Sequence, residues 1–147
     1  CLPLVSEHVR NWPVIGPGLR SCGALFVPDD PKAQAATLRA AQHRLDLGAS
    51  LLTFAQAPIS LERHNVGLFA LVQRMGLSIT PVQAHVGSRK LRWQNGAHFM
   101  RHYLRLAQRR RSAVYLSFWP GFIPSPDRSA RAWLHLVRDL LAVRSVM

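Results

Sequence analysis

"GALFVPDDPKAQAATLRAAQHRLDLGASLLTF", residues 23–54, reads as strand, turn, helix and strand in succession. Ala24-Leu25-Phe26-Val27 is a short, continuously apolar run, the pattern of a strand covered on both faces. Pro28-Asp29-Asp30-Pro31 breaks it. Asp30 is placed to accept the first free amide hydrogens of a helix, and Pro31 suits the first helical position because its missing N–H has no partner there. Ala33, Ala36, Leu38, Ala41 and Leu45 then recur at helical spacing, which predicts a helix over 32–47 that Gly48 ends. Ala49 to Phe54 returns to a strand pattern. A strand, a crossover helix and a second strand form the unit from which parallel sheets are built.

The same alternation extends outward. Leu2 to Val5 is a strand, and Val9 to Cys22 is an amphipathic stretch that Pro13 and Pro17 divide into short helical turns. Cys22 follows apolar residues and is expected to pack inside. Helices are predicted over 65–75, stopped by Gly76, over 96–109, and over 126–143 with Asp127 as the candidate cap. Strands are predicted over 78–86 and 113–118. The fold expected is a single α/β domain over residues 1–147, with a mostly parallel sheet flanked by helices.

Composition bounds the function. The chain has 147 residues, 48% hydrophobic and 18% charged, which excludes a disordered chain and permits one real core. Lys plus Arg number 19 against 7 Asp plus Glu, a net charge of +12, so anionic partners are favoured: lipid headgroups, phosphorylated substrates or nucleic acid. Arg63 to Asp127 encloses no acidic residue, and Arg101, Arg105 and Arg109 share one face of the helix predicted over 96–109. Trp93, Phe99 and Tyr103 interleave with them, a mixture that suits headgroups or stacked bases, and equally an ordinary solvated helix face. No nucleic-acid motif supports the second partner.

Reactive signatures are sparse. Cys1 and Cys22 form no Cys-x-x-Cys motif, so neither a zinc site nor a redox pair is indicated, and a reducing compartment is the default. His98 and His102 stand four apart, a spacing that can hold a metal, but Arg101 and Arg105 beside them would repel a cation; no metal is expected. His135 and Asp139 are also four apart and could pair on the surface. There is no glycine-rich phosphate loop, no Gly-x-Ser-x-Gly elbow and no close carboxylate pair. No apolar run reaches the roughly 20 residues that span a bilayer. Cys1 rather than Met at the first position suggests a processed or partial chain.

Three stretches resemble the glycerophospholipid acyltransferases typified by 1-acylglycerol-3-phosphate acyltransferase. "VSEHVRNWPVIGPGLRSCGALFV" (5–27) resembles a family block in which a strand leads into a Trp-Pro-x-Ile-Gly turn and then a Gly-x-x-Phe-Val strand. "SLLTFAQAPIS" (50–60) sits where the family has a strand ending in Phe-Pro-Glu-Gly-Thr, followed shortly by Ser. "VGLFALVQRMGLSITPVQAHV" (66–86) resembles the next helix and the strand that carries Pro-Val, here Pro81-Val82. The resemblance covers nearly the whole chain, and Trp12-Pro13-Val14-Ile15-Gly16 is its most specific part.

The resemblance implies acyl transfer from an acyl thioester, carried by coenzyme A or acyl carrier protein, to a lysophospholipid, with no further cofactor. It also implies a cytoplasmic protein peripheral to the inner face of a membrane. Its chemistry needs a His-x-x-x-x-Asp pair, in which the His is the general base and the Asp orients it. The fifth residues after the seven histidines are Pro13, Gly48, Phe69, Lys90, Tyr103, Ala107 and Leu140, so this chain lacks the pair, by truncation or by loss. Pro28-Asp29-Asp30 stands where the family has a phosphate-binding arginine. The Phe-Pro-Glu-Gly-Thr block survives as Phe54 alone; Gln56 replaces its acid and Ser60 matches the later serine. Phe54, Gln56 and Ser60 are the substrate-binding candidates, no catalytic residue is assigned, and this chain is expected to be inactive. A non-catalytic protein that binds anionic lipid or a membrane surface is the alternative.

Overall fold

The computed structural model describes residues 1–55, 59–86, 108 and 113–143. The chain divides into two compact units, Cys1–Ile79 with Phe122–Met147, and Thr80–Gly121. The helix expected over 96–109, with His98, His102 and the arginine face, lies outside the described residues.

The first unit carries a three-stranded parallel sheet. β1 (Leu2–Ser6) is central, with β2 (Leu25–Val27) on one side and β3 (Leu51–Leu52) on the other. Leu4, Val5 and Ser6 face Leu25, Phe26 and Val27, while Leu2 and Pro3 face Leu51 and Leu52. Leu4 of this central strand is buried, and its other residues are half-buried. A 3-10 turn (Glu7–Asn11) and α1 (Ile15–Ser21) join β1 to β2, and α2 (Pro31–Asp46) joins β2 to β3.

α2 forms as its local code dictates. The Asp30 carboxylate accepts from the Ala33 amide at 3.0 Å, Pro31 opens the first turn, and Gly48 takes φ 77° beyond the C-cap, a conformation that favours glycine. Asp30→Ala should therefore lower stability by about 1 kcal/mol, read as a drop in the urea midpoint.

α3 (Ile59–Arg74) serves two cores. Leu68 and Leu71 join Leu4, Val27 and Ala41 under the sheet, with Leu25, Leu38, Leu45, Leu51 and Met75 around them. Phe69 joins Leu134 and Val137 from α4 (Ala130–Val143), with Val66, Ile79, Phe122, Trp133 and Leu141 beside them. Phe122 stacks on Trp133 at 5.1 Å, and the Arg128 guanidinium sits 5.5 Å over the same indole.

Several boundaries move from their sequence reading. β3 keeps two residues of the strand expected over 49–54. α3 starts at Ile59 rather than Asn65. Ser129, not Asp127, caps α4, its hydroxyl accepting from the Ala132 amide at 3.2 Å. Cys22, expected inside, is exposed.

The second unit departs from the expected parallel order. β4 (Val82–Val86) pairs antiparallel with β5 (Val114–Phe118), from Val82 opposite Phe118 to Val86 opposite Val114. Mixed α/β is therefore the architecture observed, and among the described residues parallel pairing is confined to β1, β2 and β3.

Candidate functional site at the carboxyl edge of the parallel sheet

In open α/β sheets the strands end together, and ligands bind outside that edge. Here the edge is formed by residues 7–8 after β1, 28–30 after β2 and 53–55 after β3.

The turn that follows β1 is held tightly. Ile15 donates to the Pro13 carbonyl at 2.8 Å and Gly16 to that of Trp12 at 2.9 Å. Gly16 is buried against the Arg10 carbonyl: a Cβ there would overlap that oxygen and lie 2.9 Å from its carbon. The Arg20 guanidinium donates to the same carbonyl at 2.8 Å, and the Arg10 guanidinium lies 5.5 Å over the Phe26 ring. Val14 takes φ 67°, a strained value for a β-branched residue. Trp12-Pro13-Val14-Ile15-Gly16 is thus a tight reversal that brings α1 against the backbone leaving β1.

Gln34, Asn65 and Arg138 hold loop backbone at the edge. The Gln34 amide, 4% exposed, donates to the Pro28 carbonyl at 2.9 Å. Thr53 donates to Asn65 Oδ1 at 3.0 Å, and Asn65 Nδ2, itself buried, donates to the Phe54 carbonyl at 3.1 Å. Arg138 reaches from α4 to donate through Nε to the Ala55 carbonyl at 2.7 Å, while its Nη1 sits 3.5 Å from the Glu62 carboxylate. A buried side chain that satisfies a loop carbonyl fixes the loop without exposing an orphaned polar group.

Two histidines stand apart. His8 Nε2 lies 2.9 Å from Asp29 Oδ2, which joins the ends of adjacent strands β1 and β2. Both side chains are more than half exposed, so the pair contributes little to stability. His64 is the opposite case. It is 2% exposed, neither ring nitrogen has a hydrogen-bond partner, and burial lowers its pKa. It lies one turn before Leu68 on the face of α3 that meets the sheet core.

The substrate-binding candidates fare unevenly. Phe54 stands just beyond β3 with 59% of its surface exposed. Gln56 falls outside the described residues. Ser60 lies in the first turn of α3, and its side chain is also outside them. His135 and Asp139 are both exposed on α4, and no ion pair joins them. The sequence reading missed His64, Asn65, Gln34 and Arg138. Asn65 and His64 were legible in part: they continue the spacing of Leu68 and Leu71 toward the N-terminus, once the helix is allowed to start before them.

Among the described residues no group of three or more His, Cys, Asp or Glu side chains could hold a metal ion. No described helix is long and apolar enough to cross a membrane. Comparison with family models, curated proteins and solved structures finds no match to this chain.

Proposed function

We propose that this chain is a domain of glycerophospholipid acyltransferase type that holds a lysophospholipid or an anionic lipid headgroup without transferring an acyl group. One observation carries the reading. At the carboxyl edge of the sheet, Gln34, Asn65 and Arg138 hold the backbone of the loops after β2 and β3, so the edge is built as a rigid frame. The Trp12–Gly16 reversal and the exposed Phe54 beside that frame support the family resemblance. An active protein of this type would draw its acyl group from a thioester of coenzyme A or acyl carrier protein; the place of this chain is the inner, cytoplasmic face of a membrane, peripherally bound.

Acyl transfer needs a base poised to take a hydroxyl proton, and general-base catalysis is worth roughly 10²–10⁴ in rate. His8 and Asp29 meet with both side chains more than half exposed, where water is not excluded from an acceptor hydroxyl. A second reading, attachment to an anionic surface by charge, is favoured by the acid-free stretch between Arg63 and Asp127.

The test is transfer of a labelled acyl group from acyl-coenzyme A to lysophosphatidate. Product is expected at the protein-free rate, for the wild type and for Gln56→Ala and His8→Ala alike. Turnover by the wild type that either substitution abolishes overturns the inactive reading.

A further inference from the structure

The β4–β5 ribbon is inverted relative to an ordinary soluble hairpin. Directly opposed residues of an antiparallel pair share a face. Val82 opposite Phe118, Ala84 opposite Leu116, and Val114 one pair beyond place five apolar residues on one face. Gln83 opposite Ser117 and His85 opposite Tyr115 make the other face polar. Three of the four polar-face residues are covered, Gln83 at 7% exposed with Ser117 and His85 half-buried, while Tyr115 is 64% exposed. On the apolar face Val114 and Leu116 are each 56% exposed and Phe118 is 69% exposed. Exposed apolar residues gathered on one face of a ribbon are what membrane- or protein-binding surfaces present.

Charge selects the partner. The connection between the two strands, residues 87–113, contains eight Arg and Lys residues and no acid. A second copy of the chain would bring net charge +12 against +12. An anionic bilayer accepts both features at once: acyl chains and interfacial carbonyls for the apolar face, headgroup phosphates for the cations.

We propose that the Val82, Ala84, Val114, Leu116 and Phe118 face of the ribbon inserts into the surface of an anionic bilayer. This rests on the anionic-surface reading above and gives it a specific insertion face. Membrane contact would then combine burial of apolar side chains with neutralisation of charge, and would survive salt better than charge alone.

The experiment is cosedimentation of the full chain with phosphatidylcholine vesicles, with and without phosphatidylglycerol, at low and high salt. Tryptophan quenching by acyl-chain-brominated lipid is read in parallel. The charge-neutral double variant Leu116→Gln/Phe118→Gln is expected to bind anionic vesicles about tenfold more weakly and to lose quenching. Ala84→Leu, which enlarges the apolar face, is expected to bind more tightly, and it tests the proposal even if the double variant fails to fold. If the wild type binds anionic vesicles but neither variant changes affinity or quenching, attachment is by charge alone: the insertion face falls and the anionic-surface reading stands. If the wild type binds no vesicle, both fall. A wild-type dimer in analytical ultracentrifugation that the double variant dissociates, with vesicle binding unaltered, assigns the face to a second copy and overturns the proposal.

Discussion

Gly16→Ala is expected to destabilise the protein by about 3 kcal/mol, the upper end of what overpacking a buried site costs. The obstacle is backbone. A Cβ at this position meets the Arg10 carbonyl, not the far end of a flexible side chain, so no rotamer change relieves it. Moving Arg10 would also disturb the Arg20 hydrogen bond to its carbonyl and the packing of its guanidinium over Phe26 on β2. Gly18, two residues along the same helix, has nothing within 4 Å of a built Cβ. Gly18→Ala should therefore stabilise by about 0.5–1 kcal/mol through helix propensity alone. With a urea slope of roughly 1–3 kcal/mol/M, Gly16→Ala should lose about 1–3 M in unfolding midpoint. Equal midpoints for the two variants would mean that α1 does not lie against the Arg10 carbonyl.

His64→Leu is expected to raise stability, by about 1–3 kcal/mol at neutral pH. A buried polar group without a hydrogen bond is destabilising by that order, and leucine fills a similar volume without one. The effect should grow in acid, and the sign follows from burial. The folded pKa of His64 lies below the unfolded value of 6.5, because desolvation disfavours the imidazolium. Well above that value both states are neutral and pH has no leverage through this group. As pH falls through it, the unfolded chain takes up the proton first, so the native state loses stability until the folded pKa is reached. The slope is at most about 1.4 kcal/mol per pH unit. Subtracting the variant's pH profile from that of the wild type isolates this residue from the other histidines. A difference that stays flat between pH 7.5 and 5 would show that His64 is solvated or paired in solution.

His64 also shows where local reading stops. Its position on the inward stripe of α3 can be traced by counting back from Leu68 and Leu71. That its two nitrogens are left without partners depends on which atoms α2, α3 and the sheet bring to one place. The Asn65 clamp is similar. An asparagine near a helix start suggests a cap by propensity, yet this one reaches sideways to Thr53 and the Phe54 carbonyl, across a loop the pattern cannot fold.

The ribbon was legible in part. Val82-Gln83-Ala84-His85-Val86 alternates strictly, unlike the continuous run Ala24–Val27, and strict alternation marks a strand with one apolar face, the usual antiparallel condition. The alternation of strands and helices along the chain points instead to a mostly parallel sheet. What the alternation does not state is which face meets solvent.

Short-range chemistry alone determines α2 and the strand before it: the Asp30 cap, Pro31, the apolar stripe and Gly48 all act within a few residues of one another, and each has one favourable conformation. The pairing of β4 with β5 and the two-residue length of β3 were decided by tertiary structure. Each depends on a partner strand many residues away, and the local pattern does not state which strand that is or from which side it approaches.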